Sequence, residues 1–186
     1  MTTLSIFDQK APETPRVVTE DGGKIASLLA DHGIRFERWA TRDLPADASQ
    51  DDILEAYSGE IQALKDQCGF QAADVISLNP DNPQKDAFRQ KFIEEHVHSE
   101  DEIRFFVRGQ GLFYLHLGDQ VYAVMCQKND LISVPNGTRH WFDMGPEPQF
   151  TCIRLFTNPE GWVADFTGED IASRLPAYES LEQATA

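Results

Sequence analysis

Two short fragments of the sequence contain residues that can bind a metal ion. The first runs from Glu94 to Gly109 and reads EEHVHSEDEIRFFVRG. On a strand, His96 and His98 lie on one face because side chains alternate with a period of two, and a tight turn brings Glu102 to the same point. The second fragment, SVPNGTRH, ends at His140, after a Pro-x-Gly turn. We therefore expect three imidazoles and one carboxylate to converge on one ion.

This set of side chains indicates which metals the site suits. Three imidazoles and a carboxylate form a borderline site for iron, nickel, cobalt or zinc. Structural zinc usually takes cysteine or histidine ligands, so the carboxylate argues against a purely structural ion. Four protein ligands on an octahedral ion leave two positions open, which favours chemistry. The alternative is that the histidines are ordinary surface or core residues, an interpretation that we adopt only for His32 and His116.

The two fragments resemble the two cupin motifs. The first matches H-x-H, three residues, E, six residues and G from His96 onward, and the second matches P-x-G-x-x-H from Pro135 onward. The sequence departs from the motifs at Gln90, where glycine is frequent, and at Met144, where asparagine is frequent. Neither position is a ligand position, so the departures concern the shape of the loops.

Within the cupins, the chain is similar to the acireductone dioxygenase family. The phrases that carry the resemblance are DVISL, EHVHSEDEIRFFV, NDLISVP, HWFDMG and NPEGW, spread from Asp74 to Trp162. The resemblance implies an enzyme of methionine salvage that cleaves an acireductone, an enediol ketone with a methylthioethyl tail, using O2. It also implies one Fe(II) or Ni(II) ion per chain.

In that family the metal is described as setting the products. Iron(II) gives formate and a 2-keto acid, whereas nickel(II) gives carbon monoxide, formate and a shorter acid. Two alternatives stay open, namely another metal-dependent cupin dioxygenase and a non-catalytic cupin that binds a small molecule. A sugar-phosphate isomerase is disfavoured because this acidic chain has few basic residues near its motifs to hold phosphate.

The composition sets limits on partners and location. The chain has 31 acidic and 16 basic residues and a formal net charge of −15, which argues against nucleic acid and anionic membranes and favours a monomer. It shows neither a signal peptide nor an apolar run long enough to span a membrane. Its three cysteines, an odd and scattered set, indicate a cytoplasmic protein in which they are buried as small apolar residues.

The pattern along the chain predicts a mainly β fold. From Phe92 onward, short period-two segments alternate with turn residues, as in a cupin-type antiparallel barrel, or double-stranded β-helix. We expect a single cupin domain over 1–186, with strands and covering helices in 1–91, the metal-binding barrel core in 92–162 and an acidic tail in 163–186. These lengths suit one domain with a sizeable core.

Local signals give more detailed expectations. Ser49 and Asp52 form a capping-box pattern ahead of an amphipathic helix that reaches Cys68, with a kink expected at Gly59 and the end of the helix at Gly69. Leu4 to Phe7 and Arg16 to Thr19 read as short edge strands. Ile103–Val107 and Leu112–Leu117 read as two separate strands.

Strand parity also assigns residues to the pocket. If Glu102 points inward, so does Arg104, which we interpret as a catalytic and substrate-binding residue that meets an anion; the alternative is a salt bridge. Arg154 has a similar expected role in substrate binding. We expect Phe92, Phe142 and Trp162 to enclose the substrate, although plain packing is the alternative for each.

Two carboxylates flank the predicted ligands in sequence. Glu95 and Asp101 are expected to hydrogen-bond an imidazole or an arginine and so orient it. The alternative is that both are solvated turn carboxylates.

Overall fold

The computed structural model describes residues 1–158 and 163–184, which form eleven strands and six helices. The strands are β1 (Thr3–Asp8), β2 (Val17–Thr19), β3 (Arg35–Arg38), β4 (Ala72–Leu78), β5 (His96–Val97), β6 (Glu102–Leu117), β7 (Gln120–Gln127), β8 (Asp130–Val134), β9 (Arg139–Asp143), β10 (Phe150–Phe156) and β11 (Asp165–Phe166). The helices are α1 (Gly22–Ala30), α2 (Gln50–Ala56), α3 (Ser58–Cys68), α4 (Lys85–Phe92), α5 (Ile171–Arg174) and α6 (Tyr178–Ala184).

Strand β6 belongs to two antiparallel sheets. Its first part pairs with β8 and β10, which extend to β3 and β4. Its second part pairs with β7 and β9, and that sheet runs in the order β11-β5-β9-β6-β7-β1-β2. The mainly antiparallel, cupin-type fold predicted from the sequence is confirmed. The expectation that β1 is an edge strand was wrong, because β1 lies between β2 and β7 and is almost fully buried.

The 16-residue strand β6 replaces the two strands expected from the sequence. Gly109 lies at its bend with φ of 71°, and the register with β10 shifts nearby, between Thr151 and Cys152. Side chains that face the core between the sheets are even-numbered before the bend, as at Phe106, and odd-numbered after it, as at Phe113. The bend therefore inverts which face of the strand is inside, and the glycine allows it because φ is positive.

Three apolar clusters hold the layers together. The first lies between the sheets and includes Leu4, Phe106 and Phe142. The second joins the outer face of the β8-β6-β10 sheet to α2 and α3, and the third joins the outer face of the other sheet to α5 and α6. The helices therefore cover both outer faces, as amphipathic elements do.

The helical region before β4 follows the sequence signals closely but not completely. The capping box between Ser49 and Asp52 is present at the start of α2. The expected single helix is divided at Tyr57 into α2 and α3, and Gly69 ends α3 in the left-handed conformation.

All three cysteines are free, and Cys126 and Cys152 are buried. The expected burial of Cys68 was wrong, since this residue lies exposed in the last turn of α3, with its Sγ atom 3.9 Å from a guanidinium nitrogen of Arg35.

The segment after residue 162 is more structured than an acidic tail. It contributes β11, which pairs with β5, and the helices α5 and α6. Arg89 of α4 donates to both carboxylate oxygens of Asp143 and also to Glu179 of α6. We call this set of three residues, Arg89, Asp143 and Glu179, the clasp. It connects α6 to the sheet through α4. Within the described part of the chain, none of the helices has the length and apolar character needed to cross a membrane.

Candidate metal centre

Strands β5 and β9 bring the predicted histidines together. His96 and His140 are direct neighbours across the two strands, and His98 follows one residue after β5 on the same face as His96. All three side chains are buried, and one nitrogen of each lies within 4.8 Å of the others. The i, i+2 spacing on a strand and the antiparallel pairing with β9 are the local features that produce this cluster.

The Nδ1 atom of each ligand candidate faces a backbone carbonyl oxygen. His96 meets the carbonyl of Glu94 at 2.8 Å and His140 that of Thr138 at 2.7 Å. His98 meets the carbonyl of Val163 at 2.8 Å. Because a carbonyl oxygen can only accept, each Nδ1 donates its proton to that oxygen, and Nε2 is the atom of each ring that can offer a lone pair to a metal ion.

Glu102 completes the cluster from the start of β6. Its Oε2 lies 3.2 Å from Nε2 of His98 and 3.2 Å from Nε2 of His140. Nitrogen lone pairs and a carboxylate oxygen therefore converge in a buried place where they would repel one another without a cation. A divalent metal satisfies this donor set, and a proton competes with it for the same lone pairs.

The ionisation of the cluster suits metal binding. Burial and, to a smaller extent, the neighbouring His140 lower the pKa of His96 to about 4, so this ring is neutral near pH 7. Burial raises the pKa of Glu102, but the Arg104 guanidinium and the two adjacent imidazoles lower it more, and the net pKa lies well below its usual range. Burial lowers the pKa of His98 while Glu102 raises it, with a net increase.

Arg104 lies beside the cluster on the inner face of β6, as strand parity predicts. It is 4% exposed, and its Nε donates to Glu102 Oε1 at 2.8 Å. Its guanidinium carbon lies 4.6 Å from the ring centroid of Phe142 and 5.3 Å from that of Phe113. Two aromatic faces and a carboxylate thus hold the cation in place. The salt bridge that the sequence offered as the alternative for Arg104 is therefore present, with Glu102 as its partner, and a contact with a substrate anion stays a prediction.

The cluster opens into a cavity of about 120 Å³. The described residues that line it are Lys91, Phe92, His96, His98, Glu102, Arg104, His140, Phe142, Arg154 and Ala164. The aromatic rings of Phe92 and Phe142 are therefore cavity walls as well as packing groups. Arg154 also lines the cavity, opposite Arg104 across β6 and β10, but Asp74 holds it through bonds of 2.8 and 2.6 Å.

The remaining expected residues lie in different surroundings. Glu95 is buried and bonds an imidazole, but that ring belongs to His116 rather than to a predicted ligand, at 2.6 Å. Its other oxygen accepts from the hydroxyl of Thr167 at 2.8 Å. Asp101 accepts from the backbone and side-chain amides of Asn136, within the turn that precedes His140. Trp162 lies outside the described residues.

Sequence reasoning missed three contributors to the site. Val163 supplies the carbonyl for His98, Ala164 lines the cavity and Lys91 stands at the end of α4 beside Phe92. A backbone carbonyl and an alanine carry no chemical signal in a sequence. Lys91 is charged, but its position on the cavity wall depends on how α4 packs against β9.

Comparisons with known proteins agree on one family. The model of the ARD/ARD′ family matches residues 3–164. The acireductone dioxygenase of Marinobacter nauticus is 73% identical over 181 residues, covering 97% of this chain and 98% of that protein. The acireductone dioxygenase of Hahella chejuensis is 64% identical over 181 residues, with 97% and 98% covered.

A solved structure is similar as well. The acireductone dioxygenase from Bacillus anthracis, with a cadmium ion in its active centre, superposes with a TM-score of 0.78 at 31% identity. The match covers 89% of this chain and 98% of that one.

Proposed function

Since the chain belongs to the ARD/ARD′ family, we propose that it is a metal-dependent dioxygenase that cleaves an acireductone with O2. The observation that carries the proposal is the convergence of three Nε2 lone pairs and the Glu102 carboxylate beside a buried arginine, at the base of an enclosed cavity. The relatives named above are acireductone dioxygenases, and the one of known structure holds a metal ion in its active centre.

In this proposal His96, His98, Glu102 and His140 hold one divalent ion. Neutral imidazoles and one carboxylate form a borderline donor set that accepts iron, nickel and neighbouring metals. When bound, such an ion supplies open coordination positions, Lewis acidity toward adjacent oxygens and the electronic properties needed for reaction with O2. The three backbone carbonyls keep the Nε2 lone pairs directed inward, which reduces the rearrangement needed for binding.

Arg104 acts on the substrate in this proposal. An enediol loses a proton more readily beside a fixed positive charge, because that charge stabilises the enediolate in a water-poor place. The Arg104 side chain lines the same cavity as Phe92 and Phe142. These rings exclude water and offer an apolar, polarisable wall for a thioether tail. Arg154 adds positive charge on the neighbouring strand, held in place by Asp74.

We further propose that metal identity selects the products, as in the family. Iron(II) is expected to give formate and a 2-keto acid within methionine salvage in the cytoplasm, and nickel(II) to give carbon monoxide, formate and a shorter acid. The mixed donor set supports this because it accepts both ions, with nickel expected to bind more tightly. We also propose that the active protein is a monomer, because the net charge of −15 opposes association of the chains.

Reloading the metal-free protein tests both parts of the proposal. Separate samples receive iron(II) or nickel(II), then acireductone and O2, and the gas phase is assayed for carbon monoxide. We expect O2 consumption in both samples and carbon monoxide only with nickel. Equal carbon monoxide from both would overturn metal-controlled products, whereas no O2 consumption in either would favour a non-catalytic binding cupin.

Ligand variants test the assignment of the metal site. We expect His96→Ala, His98→Ala, Glu102→Ala and His140→Ala to lose most of their metal while the β core stays folded, since the three apolar clusters rather than the ion form that core. His32→Ala is the matched control, because His32 bonds Tyr122 away from the site. Full metal occupancy in two of the three histidine variants would reject the assignment.

A further inference from the structure

The cavity wall carries more positive than negative charge. Of the described residues that line it, Lys91, Arg104 and Arg154 are cationic and Glu102 is anionic. Arg104 is paired with Glu102 at 2.8 Å, and Arg154 is paired with Asp74 at 2.6 Å. Within residues 1–158 and 163–184, the ammonium of Lys91 has no carboxylate oxygen within 4.0 Å. Lys91 is thus the cavity cation that the described fold does not neutralise.

Lys91 lies where an incoming molecule would pass it. It occupies the last turn of α4 and is exposed, whereas the following residue, Phe92, is half-buried in the cavity wall. Its Nζ lies 5.6 Å from the centroid of the Phe92 ring, and this contact keeps the charge beside the wall. An exposed lysine at this position contributes little to packing. Its positive charge is therefore the property that a function would use.

The negative charge of the whole chain shows why a cation at this position matters. With 31 acidic and 16 basic residues, the protein repels an anion at long range. Arg104, which is buried, and Arg154, which is half-buried, are each paired with a carboxylate, so their positive charges are largely compensated. The uncompensated ammonium of Lys91 at the cavity mouth therefore attracts an anion locally, against the repulsion from the rest of the chain.

We propose that Lys91 is a specificity-determining residue that captures the anionic form of the enediol substrate at the cavity mouth. This proposal rests on the proposed function, because it takes the acireductone anion as the molecule that enters. Lys91 acts before Arg104, on the encounter, and it discriminates against neutral hydroxyketones of the same length. The kind of substrate it favours is a small anion whose charge is spread over adjacent oxygens.

Removing the Lys91 charge should affect the kinetics differently from removing a residue that only supports the fold. An exposed charge acts on association, so its removal lowers kcat/KM and leaves kcat at saturating substrate nearly unchanged. Its influence reaches about 10 Å at 0.1 M salt and about 3 Å at 1 M. The effect should therefore vanish as ionic strength rises.

Three variants of the metal-loaded enzyme separate the possibilities. Lys91→Gln removes the charge, Lys91→Arg keeps it, and Lys85→Gln removes a charge from the first turn of the same helix, where Lys85 pairs with Glu147. At low salt we expect Lys91→Gln to lower kcat/KM by about threefold to tenfold and to flatten its dependence on salt. Lys91→Arg and Lys85→Gln should both stay within about twofold of the parent, an allowance for the small effect of a distant surface charge.

A binding measurement separates this proposal from the proposed function. Under anaerobic conditions, the metal-loaded protein is titrated with an acireductone that has a plain alkyl tail and, separately, with a neutral hydroxyketone of equal length. Lys91→Gln should weaken binding of the first about threefold or more at low salt and leave the second unchanged. Metal content and circular dichroism confirm that the variants are loaded and folded.

The outcomes are distinct. If the parent binds the anion in a Lys91-dependent way but consumes no O2, the catalytic proposal fails and the capture site stands. If the parent consumes O2 and Lys91→Gln matches Lys85→Gln in kcat/KM and anion affinity at every salt concentration, the role of Lys91 is rejected while the catalytic proposal stands. An equal loss for the neutral ketone would also reject it, because charge recognition would then be absent.

Discussion

His98 donates from Nδ1 to the carbonyl oxygen of Val163 at 2.8 Å, although the two residues are 65 positions apart in the sequence. His96 and His140 each donate from Nδ1 to the backbone carbonyl oxygen of the residue two positions earlier in the sequence. One of the three imidazoles is thus oriented by the segment 163–167, which we call the C-terminal strap. The strap also pairs Phe166 with His96 through β11 and β5, and the backbone of Thr167 donates to the Glu95 carbonyl at 3.1 Å.

Loosening the C-terminal strap should therefore weaken metal binding. The Phe166 ring packs edge-on against His96 with centroids 5.9 Å apart, so Phe166→Ala removes a contact that holds the strap over the cluster. We expect metal affinity to fall about tenfold, the range seen when groups that orient ligands are removed. Competition with a chelator for Ni(II) measures the change. Val18→Ala, an exposed apolar residue on edge strand β2, is the control, and equal affinities for the two variants would contradict the strap's role.

The aromatic wall of the cavity depends on a glycine in β6. A Cβ atom at Gly111 would lie 2.3 Å from Cζ of Phe142, whose ring also supports Arg104. Gly111→Ala must therefore move that ring, at a cost of about 1–3 kcal/mol for overpacking. We expect a lower melting temperature and reduced kcat/KM with the metal retained. Gly59→Ala, on helix α3 with open space around it, should instead be neutral or stabilising, and unchanged kinetics in Gly111→Ala would exclude Phe142 as a positioned wall.

Much of the site could be predicted because its information is local. The spacing of His96, His98 and Glu102 and the turn before His140 are short-range patterns that directly encode side-chain direction on strands. Parity likewise placed Arg104 correctly beside the cluster. These predictions succeed because alternation along a strand is a geometric property of the backbone.

The missed features depend on contacts that are distant in sequence. The inversion of faces in β6 arises where Gly109 approaches residue Gln149, 40 positions away by their numbering in the chain. The strand β11 has two residues, too few for any periodicity, and its pairing with β5 is what defines it. Asp74 could not be recognised as the partner of Arg154 before the register of β4 and β10 was known.

The bend in β6 gives a sharp stability prediction. A Cβ atom at Gly109 would lie 1.8 Å from the carbonyl oxygen of Gln149, a backbone atom that cannot rotate away, and φ there is 71°. Gly109→Ala should therefore be destabilised by more than about 2 kcal/mol, because the clash and the left-handed strain act together. Chemical denaturation measures this loss. Gly137→Ala has a similar φ of 72° but no neighbouring atom within 4 Å, so it isolates the strain, and equal losses would show that the close approach is unimportant.

The clasp between α4 and α6 predicts a pH dependence of stability. Arg89 donates to Glu179 at 2.8 and 3.1 Å, and these hydrogen bonds lower the pKa of Glu179 from its ordinary value of 4.5. A carboxyl group whose pKa is lower in the folded state stabilises the fold above the unfolded pKa and loses that contribution as pH falls through the folded pKa. The contribution should therefore be complete at neutral pH, begin to decrease near pH 4.5 and be lost as the pH falls through the lower pKa of the folded state.

Comparison of the parent with Glu179→Gln measures this contribution directly. Because the Glu179 side chain is 43% exposed, we expect the parent to melt only about 1–3 °C higher at pH 7, with the difference approaching zero in acid. Metal-free samples keep metal release at low pH from adding to the result. Glu13→Gln, at an exposed turn residue, removes the same charge and should show a much smaller difference at every pH. A melting difference that persists unchanged below pH 4 would mean that Glu179 stabilises α6 through packing and not through its charge.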